Sequence, residues 1–199
     1  MVVIACNTVS AVALDVVQNR ARVPVVAVIL PGAREAIRAT KKKRVGIIGT
    51  VATVNSGAYA HAIRQIDADV QVFAQACPLF VPLAEEGWID HRVTALVAKE
   101  YLFPLTLEKI DTLILGCTHY PVLRGAIAAA MDPHVTLIDS GAAVAADVEA
   151  ALDEKKLRNP SRQKPNLEFY VSDLPARFAE IGERFLGRTM GRVHRVSGF

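Results

Sequence analysis

The chain has 199 residues, of which 52% are hydrophobic and 22% are charged, and its formal net charge is +3. This apolar content excludes a disordered chain, and the weak basic excess gives no indication of a nucleic-acid-binding surface. At roughly 100–200 residues per domain, the length predicts one domain or two small ones.

Short runs rich in β-branched residues alternate along the chain with longer Ala-rich amphipathic segments. The predicted strands are Val2–Ala5, Val25–Ile29, Arg44–Ile48, Val70–Ala74, Thr112–Leu115, Val135–Ile138 and Leu167–Val171. The predicted helices are Ser10–Asn19, Ala33–Thr40, Ser56–Ile66, Asp90–Tyr101, Pro121–Met131, Ala142–Lys155 and Pro175–Leu186. Apolar strands that are each followed by a helix predict an α/β fold with a parallel sheet. The polar stretch Lys156–Pro165 predicts an exposed loop.

Ligands in such folds bind beyond the carboxyl ends of the strands, so the strand-to-helix junctions are the places to search for chemistry. At the first junction an apolar strand ends at Cys6 and is followed by Asn7 and Thr8. Asn and Thr are good helix N-cap residues. This junction therefore predicts a cysteine close to the N-terminus of a helix.

The second junction has similar surroundings and lies much further along the chain. An apolar strand ends at Gly116 and Cys117, Thr118 and His119 follow, and Pro121 opens a predicted helix. The match with the first junction predicts two similar α/β units that face each other across a cleft.

A thiol at a helix N-terminus is expected to have a lowered pKa because it lies at the positive end of the helix dipole. The backbone N–H groups at the same place can bind a carboxylate. Two thiols on opposite sides of such an anion can each remove or return a proton at the carbon between them, which inversion of one stereocentre requires. The alternative is that Cys6 and Cys117 are small buried hydrophobic residues. Their matching surroundings favour catalysis.

His119 lies two residues after Cys117 and is predicted to tune the thiol or to transfer a proton, although a lone histidine is more often structural. A third junction follows Gly49, where the hydroxyls of Thr50 and Thr53 either bind a ligand carboxylate or only cap a helix.

Two further residues, Cys77 and Glu85, lie between the second and third of these junctions in the sequence. Cys77 precedes a proline and is interpreted as a core residue, whereas Glu85 either orients a ligand ammonium or a catalytic histidine, or is an exposed carboxylate at a helix end. The sequence Cys117-x-His119, with Cys6 far away, lacks the paired spacing of metal ligands, so no metal site is predicted.

At these motifs the chain resembles the glutamate racemases of the aspartate/glutamate racemase family. The resemblance rests on Ile4-Ala5-Cys6-Asn7-Thr8 and Gly116-Cys117-Thr118-His119-Tyr120-Pro121, and it continues through Gly49-Thr50-x-x-Thr53, Cys77–Leu83 with Glu85, and Leu137–Gly141. It implies two pseudo-symmetric parallel-sheet α/β domains. Residues 28–139 form the complete domain, which carries Cys117, and residues 1–27 with 140–199 form the remainder of the other, which carries Cys6.

The resemblance also implies an activity, namely cofactor-independent interconversion of L- and D-glutamate, which supplies D-glutamate for peptidoglycan. Cys6 and Cys117 are the implied bases, with His119 beside the second thiol. The other residues implied to bind the substrate or to stand beside that thiol are Asn7, Thr8, Thr50, Thr53, Glu85 and Thr118. A racemase for aspartate or a related small acid, and a non-catalytic racemase-like binding protein, remain alternatives.

Family members have two more βα units upstream, the first with an Asp-Ser pair, so the first domain is expected to be incomplete at its N-terminus. The expected partner is the small-molecule substrate, with neither nucleic acid nor membrane as a partner. A homodimer is an implied assembly, and the expected location is the cytoplasm, where cysteines stay reduced.

Overall fold

The structure is a computed structural model, which describes residues 1–161 and 163–198. The chain forms two compact units, Met1–Leu157 and Arg158–Phe199. The strands of the first unit are β1 (Val2–Ile4), β2 (Val25–Ala27), β3 (Arg44–Gly49), β4 (Gln71–Ala76), β5 (Thr112–Gly116) and β6 (Thr136–Asp139). Its helices are α1 (Asn7–Val12), α2 (Leu14–Arg20), α3 (Ile29–Ala39), α4 (Val51–Asn55), α5 (Ala58–Ile66), α6 (Phe80–Glu85), α7 (Arg92–Leu107), α8 (Arg124–Ala129) and α9 (Ser140–Glu154), with a 3-10 turn at Tyr120–Leu123. The second unit contains β7 (Phe169–Val171), α10 (Pro175–Leu186) and β8 (Val193–Arg195).

The described strands pair in parallel throughout. Strand β1 pairs with β2, the larger sheet has the order β4-β3-β5-β6, and β7 pairs with β8 in the second unit. The α/β fold with parallel strands that the sequence predicts is therefore confirmed. The predicted division into 28–139 and 1–27 with 140–199 stays a prediction.

The core of the first unit forms around the two central strands, β3 and β5. Every residue of β5 is buried, as are all residues of β3 except Arg44. Alternate residues point to opposite faces of a strand. Val45 and Ile47 pack with Ile63 of α5 and other residues of α3 and α5, whereas a Cβ added at Gly46 would meet Leu105 of α7. Helices on both faces explain why these strands are apolar without alternation.

Several predicted helix boundaries are wrong. The predicted helix Ser10–Asn19 is two helices that begin earlier, at Asn7, and are separated at Ala13. The predicted helix Asp90–Tyr101 begins at Arg92 and continues to Leu107 through Pro104, because the buried residues Leu102 and Leu105 keep the segment packed. Helices α4 and α6 and strand β8 were not predicted.

The remaining predicted strands and helices lie within a few residues of their observed positions. Helix α10 has the bounds that the sequence predicts, and β4 is shifted by about one residue at its start. The described residues of Lys156–Pro165 are exposed and have no regular structure, as predicted, and residue 162 lies outside the described residues.

Candidate active site

The carboxyl ends of the strands in the larger sheet lie at one edge. Gly49 at the end of β3 is in register with Ala76 on one side and Gly116 on the other, and Leu115 is in register with Asp139. The residues that follow these strands are Thr50, Cys77, Cys117 and Ser140. The register therefore brings the second and third predicted junctions, at Cys117 and Thr50, to the same edge of the sheet.

Gly116 allows the Cys117 segment to lie close to the neighbouring strand. A Cβ added at Gly116 would lie 2.6 Å from the carbonyl oxygen of Ile48 and 3.3 Å from the ring of Tyr59. Because real Cβ atoms do not approach backbone oxygens so closely, only glycine fits at this position without displacement of the chain. The position of Cys117 thus depends on the small residue before it.

A chain of three polar side chains lies beside the sulfur of Cys117. The sulfur is 3.9 Å from Nδ1 of His119, and Nε2 of that ring is 3.0 Å from Oε1 of Glu85. The hydroxyl of Thr118 is 3.3 Å from the same Nδ1. Glu85 lies at the end of α6, so the sheet edge and this helix together hold the histidine ring.

Burial raises the pKa of the Cys117 thiol, and the Cys6 thiolate adds to this shift by electrostatic repulsion. Hydrogen bonds from the backbone N–H groups of His119 and Tyr120 and from the side chain of Thr118 lower the pKa, but by less. The sequence predicted a lowered pKa, and that prediction is wrong. The thiol is 7% exposed, and the segment after it is a short 3-10 turn followed by α8 instead of the predicted helix Pro121–Met131.

Cys6 is the N-cap residue of α1 and its side chain is exposed. Its carbonyl oxygen accepts a hydrogen bond from the N–H of Ser10 at 2.9 Å, the first bond of the helix. The hydroxyl of Thr8, two residues after Cys6, lies 2.9 Å from that of Thr50, which follows β3, the strand next to β5. The segment after Cys6 therefore lies against the edge of the larger sheet that also carries Cys117.

Asn7 and Thr8 do not cap α1, although the sequence predicted that they would. The helix begins at Asn7 itself, and both side chains make tertiary hydrogen bonds. Asn7 is 2% exposed, accepts a hydrogen bond from the hydroxyl of Tyr59 at 2.6 Å and donates one to Ser140 at 3.3 Å. Tertiary partners thus replace the capping role.

Three threonine hydroxyls converge between α1 and α4. The hydroxyl oxygen of Thr8 is 2.9 Å from that of Thr50 and 3.2 Å from that of Thr53, and the last two are 3.0 Å apart. Thr50 is the N-cap of α4 and accepts a hydrogen bond from the N–H of Thr53 at 3.2 Å. The capping interpretation of this junction therefore holds for Thr50, whereas the binding of a ligand carboxylate by these hydroxyls stays a prediction.

Comparison with known proteins shows which family the chain belongs to. Residues 1–148 match the Asp/Glu/Hydantoin racemase family. The chain is a member of this family. The glutamate racemase of Syntrophus aciditrophicus is 50% identical over 196 residues, an alignment that covers 98% of this chain and 73% of that protein.

Solved structures of other members of the racemase family have the same fold. Glutamate racemase isoform RacE1 of Bacillus anthracis gives a TM-score of 0.93 at 38% identity, over 98% of this chain and 73% of that one. The glutamate racemase of Francisella tularensis, solved in complex with D-glutamate, gives 0.91 at 40% identity, over 98% of this chain and 72% of that one.

The remaining cysteine of the chain, Cys77, is a core residue, as the sequence predicted. It is fully buried and its sulfur lies 3.7 Å from the carbonyl oxygen of Gln75. Burial raises the pKa of its thiol to about 12, so the thiol stays protonated at neutral pH. A thiol in this state is inert.

No sequence motif indicates a role for Tyr59 or Ser140, both of which are hydrogen-bonded to Asn7 in the structure. Tyr59 lies on an apolar face of α5 together with Ala62 and Ile63, and all three are buried, so its spacing is typical of a core residue. Ser140 follows β6 within a motif of the racemase family, but nothing in that motif indicates its partner. Only the tertiary structure reveals these contacts.

The described residues, 1–161 and 163–198, lack two features. They contain no group of three or more His, Cys, Asp or Glu side chains that is arranged to hold a metal ion. They also contain no helix that is both long and apolar enough to span a membrane.

Proposed function

We propose that the chain is a glutamate racemase, which interconverts L- and D-glutamate by proton transfer at the α-carbon and supplies D-glutamate for peptidoglycan. Relatives named glutamate racemase that are 50% and 48% identical over almost the whole chain support this activity. The observation that carries the proposal is that Cys6 and Cys117 each follow an apolar strand, and that the buried side chain of Tyr59 contacts the residue next to each of them.

The two thiols are proposed to act as a pair that holds one proton. Repulsion between two thiolates favours the state in which one sulfur is ionised and the other is protonated. In one direction the Cys6 thiolate removes the α-proton, and the Cys117 thiol delivers its own proton to the opposite face of the carbanion. In the other direction the roles are exchanged. Each turnover thus breaks one C–H bond and forms another, with no change in oxidation state.

His119 and Glu85 are proposed to control the proton of Cys117. The carboxylate of Glu85 can only accept, so Nε2 of His119 carries a hydrogen and Nδ1 faces the sulfur as an acceptor. With Nδ1 as an acceptor, the ring can take the proton of the Cys117 thiol, and the imidazolium that forms stabilises the thiolate and can return the proton.

The substrate-binding role proposed for the polar cluster follows from its chemistry. Thr8, Thr50 and Thr53 present three hydroxyls to one place, and hydrogen bonds to a carboxylate are stronger than those between neutral groups. Asn7 and Thr118 lie next to the two cysteines and are proposed to bind the α-carboxylate and ammonium groups of the substrate.

The proposal also includes the cytoplasm as the location, which suits the three free cysteines of the chain. The homodimer that the family resemblance implies stays a prediction.

The test is exchange of the α-proton in heavy water. The purified chain is incubated with L-glutamate, deuterium at the α-carbon is measured by NMR, and formation of D-glutamate is followed by circular dichroism. We expect both, and we expect Cys6→Ser and Cys117→Ser to lower racemisation by about 10²–10⁴-fold. Cys77→Ser is the matched control and should retain activity.

Parallel incubations with L-aspartate separate the alternatives. Exchange with aspartate and none with glutamate would show that the chain is an aspartate racemase. No exchange with either would leave a racemase-like binding protein. Full activity in Cys117→Ser would overturn the two-thiol mechanism itself.

A further inference from the structure

One buried side chain contacts the residue next to each of the two thiols. The hydroxyl of Tyr59 donates a hydrogen bond of 2.6 Å to Oδ1 of Asn7, which follows Cys6 directly. The ring of the same tyrosine packs on Gly116, which precedes Cys117, since a Cβ added there would lie 3.3 Å from Cε2 of the ring.

Ser140 completes the connection on the other side of Asn7. Nδ2 of Asn7 donates to the hydroxyl of Ser140, which in turn donates to the carbonyl oxygen of Leu115, both at 3.3 Å. Tyr59 and Asn7 are each 2% exposed and Ser140 is 3% exposed. These bonds join α5, α1, α9 and β5 without help from solvent, and buried bonds of this kind fix the orientation of the groups they connect.

The direction of the tyrosine hydrogen bond is determined by its surroundings. Burial raises the pKa of the Tyr59 phenol far above its ordinary value, so the hydroxyl keeps its hydrogen. Oδ1 of Asn7 is an acceptor, whereas Nδ2 is occupied as a donor to Ser140. The amide of Asn7 therefore has one orientation that satisfies both partners.

We propose that Tyr59 and Ser140 are positioning residues that hold Asn7, and through it Cys6, in a fixed relation to Cys117. This inference rests on the proposed racemase function, because it concerns the geometry of the same two thiols. Proton transfer to and from a single carbon needs both sulfur atoms within reach of it, and a displacement of about 1 Å can reduce a rate by about 10²-fold. Neither Tyr59 nor Ser140 needs to contact the substrate for this role.

Tyr59→Phe separates the two contacts of the tyrosine. It removes the bond to Asn7 on the Cys6 side and keeps the ring against Gly116 on the Cys117 side. We expect kcat to fall by about 10- to 100-fold, with a smaller change in KM. Tyr101→Phe is the matched control, because its hydroxyl accepts a hydrogen bond from the N–H of Leu79 at 3.3 Å and not from a residue next to Cys6 or Cys117. Its kcat should stay within about twofold of the original.

The decisive measurement is the primary isotope effect with α-deuterated L-glutamate and α-deuterated D-glutamate. A displaced Cys6 slows only the proton transfers that Cys6 performs, so in Tyr59→Phe the effect should rise for one enantiomer and fall for the other. A variant that merely folds less well has fewer active molecules with unchanged isotope effects. Equal isotope effects in Tyr59→Phe and the original chain would overturn the proposal.

A second measurement needs no turnover. The rate at which iodoacetamide alkylates the exposed thiol of Cys6, read by mass spectrometry, should change in Tyr59→Phe and Ser140→Ala and stay constant in Tyr101→Phe. Unchanged alkylation in both variants would overturn the positioning role even if the original chain proved inactive on glutamate. Inactivity of the original chain, by contrast, would overturn the proposed function alone.

Discussion

Glu85 and His119 form a hydrogen-bonded pair, with 3.0 Å between Oε1 of Glu85 and Nε2 of His119. The other ring nitrogen of the histidine, Nδ1, is directed at the sulfur of Cys117. The two residues lie on different elements, since Glu85 ends α6 and His119 follows β5. The carboxylate determines which ring nitrogen carries the hydrogen, and thereby which nitrogen faces the thiol. We therefore propose that Glu85 acts on Cys117 through the orientation of the His119 ring between them.

Glu85→Gln tests this relationship. Glutamine has the same shape but no charge, and its amide nitrogen can donate to Nε2, which would favour the wrong tautomer of His119. We expect kcat for glutamate racemisation to fall by about 10-fold, which corresponds to about 1.4 kcal/mol of transition-state stabilisation. The pH profile of kcat should shift as well, since the charge beside the histidine is lost.

Glu86→Gln is the matched control for that variant. Glu86 is the exposed neighbour in the chain and loses the same charge when substituted. Its kcat should remain within about twofold of the original, as for most surface substitutions. If Glu86→Gln and Glu85→Gln lowered kcat equally, the effect would come from the general field of the two carboxylates and not from the contact with His119.

The electrostatic interaction between the thiols predicts a shift in the titration of Cys117. Its pKa is raised above the ordinary thiol value of 9.0, because burial and the charge of Cys6 both disfavour ionisation of the thiol. Cys6→Ser removes that charge, so the pKa of Cys117 should fall. The alkylation rate of Cys117, measured against pH by mass spectrometry in both chains, checks this, and an unchanged midpoint would show that the two sulfurs do not interact.

The threonine cluster predicts a change in substrate affinity. Thr8→Val removes one hydroxyl and keeps the size of the side chain, while Thr50 and Thr53 remain bonded to each other at 3.0 Å. A hydrogen bond to a charged group contributes about 1.5–3 kcal/mol, so we expect KM for glutamate to rise by about 10-fold or more with little change in kcat.

Thr106→Val is the control for the loss of a threonine hydroxyl. Thr106 is exposed near the end of α7, and its hydroxyl donates to the carbonyl oxygen of Phe103 within the same helix. Its KM should match that of the original chain. A KM in Thr8→Val that also matched the original would remove the cluster from the substrate site.

The strands were predictable from the sequence because their apolar runs are local features. Strand β3 was predicted to begin at Arg44, as it does, and to end at Ile48, one residue early. The start of α1 was not predictable, because the side chains of Asn7 and Thr8 form hydrogen bonds to residues that lie far along the chain. A capping pattern shows what a side chain is able to do, and only the folded structure shows which partner it has.

The site was predictable to a similar extent. The two cysteine motifs identify Cys6 and Cys117 as candidate bases, but the direction of the pKa shift of Cys117 was wrong because it depends on burial, which a motif does not reveal. Tyr59 could not have been found, since a buried tyrosine on a helix face looks like any core residue until its hydroxyl has a partner.

Cys77 predicts how the stability of the chain depends on alkaline pH. Burial raises the pKa of this thiol from 9.0 to about 12 in the folded chain. The folded state therefore binds the proton more tightly than the unfolded state, and the stabilisation is complete below pH 9 and is lost as the pH rises toward 12. The contribution of this one group to the free energy of unfolding falls by about 1.4 kcal/mol for each pH unit in that window.

Cys77→Ser removes this ionisation, because serine does not titrate in the same range and its hydroxyl can still donate to the carbonyl oxygen of Gln75. Urea unfolding at several pH values between 7 and 11 measures the difference. We expect the free energy of unfolding of the variant to fall less steeply above about pH 9, while the difference between the two chains stays constant between pH 7 and 8. The phenol of Tyr120, whose pKa is raised mainly by burial and to a smaller extent by the charges of Cys117 and Cys77, remains in both chains. Parallel curves up to pH 11 would show that the thiol of Cys77 is not protected from ionisation by the fold.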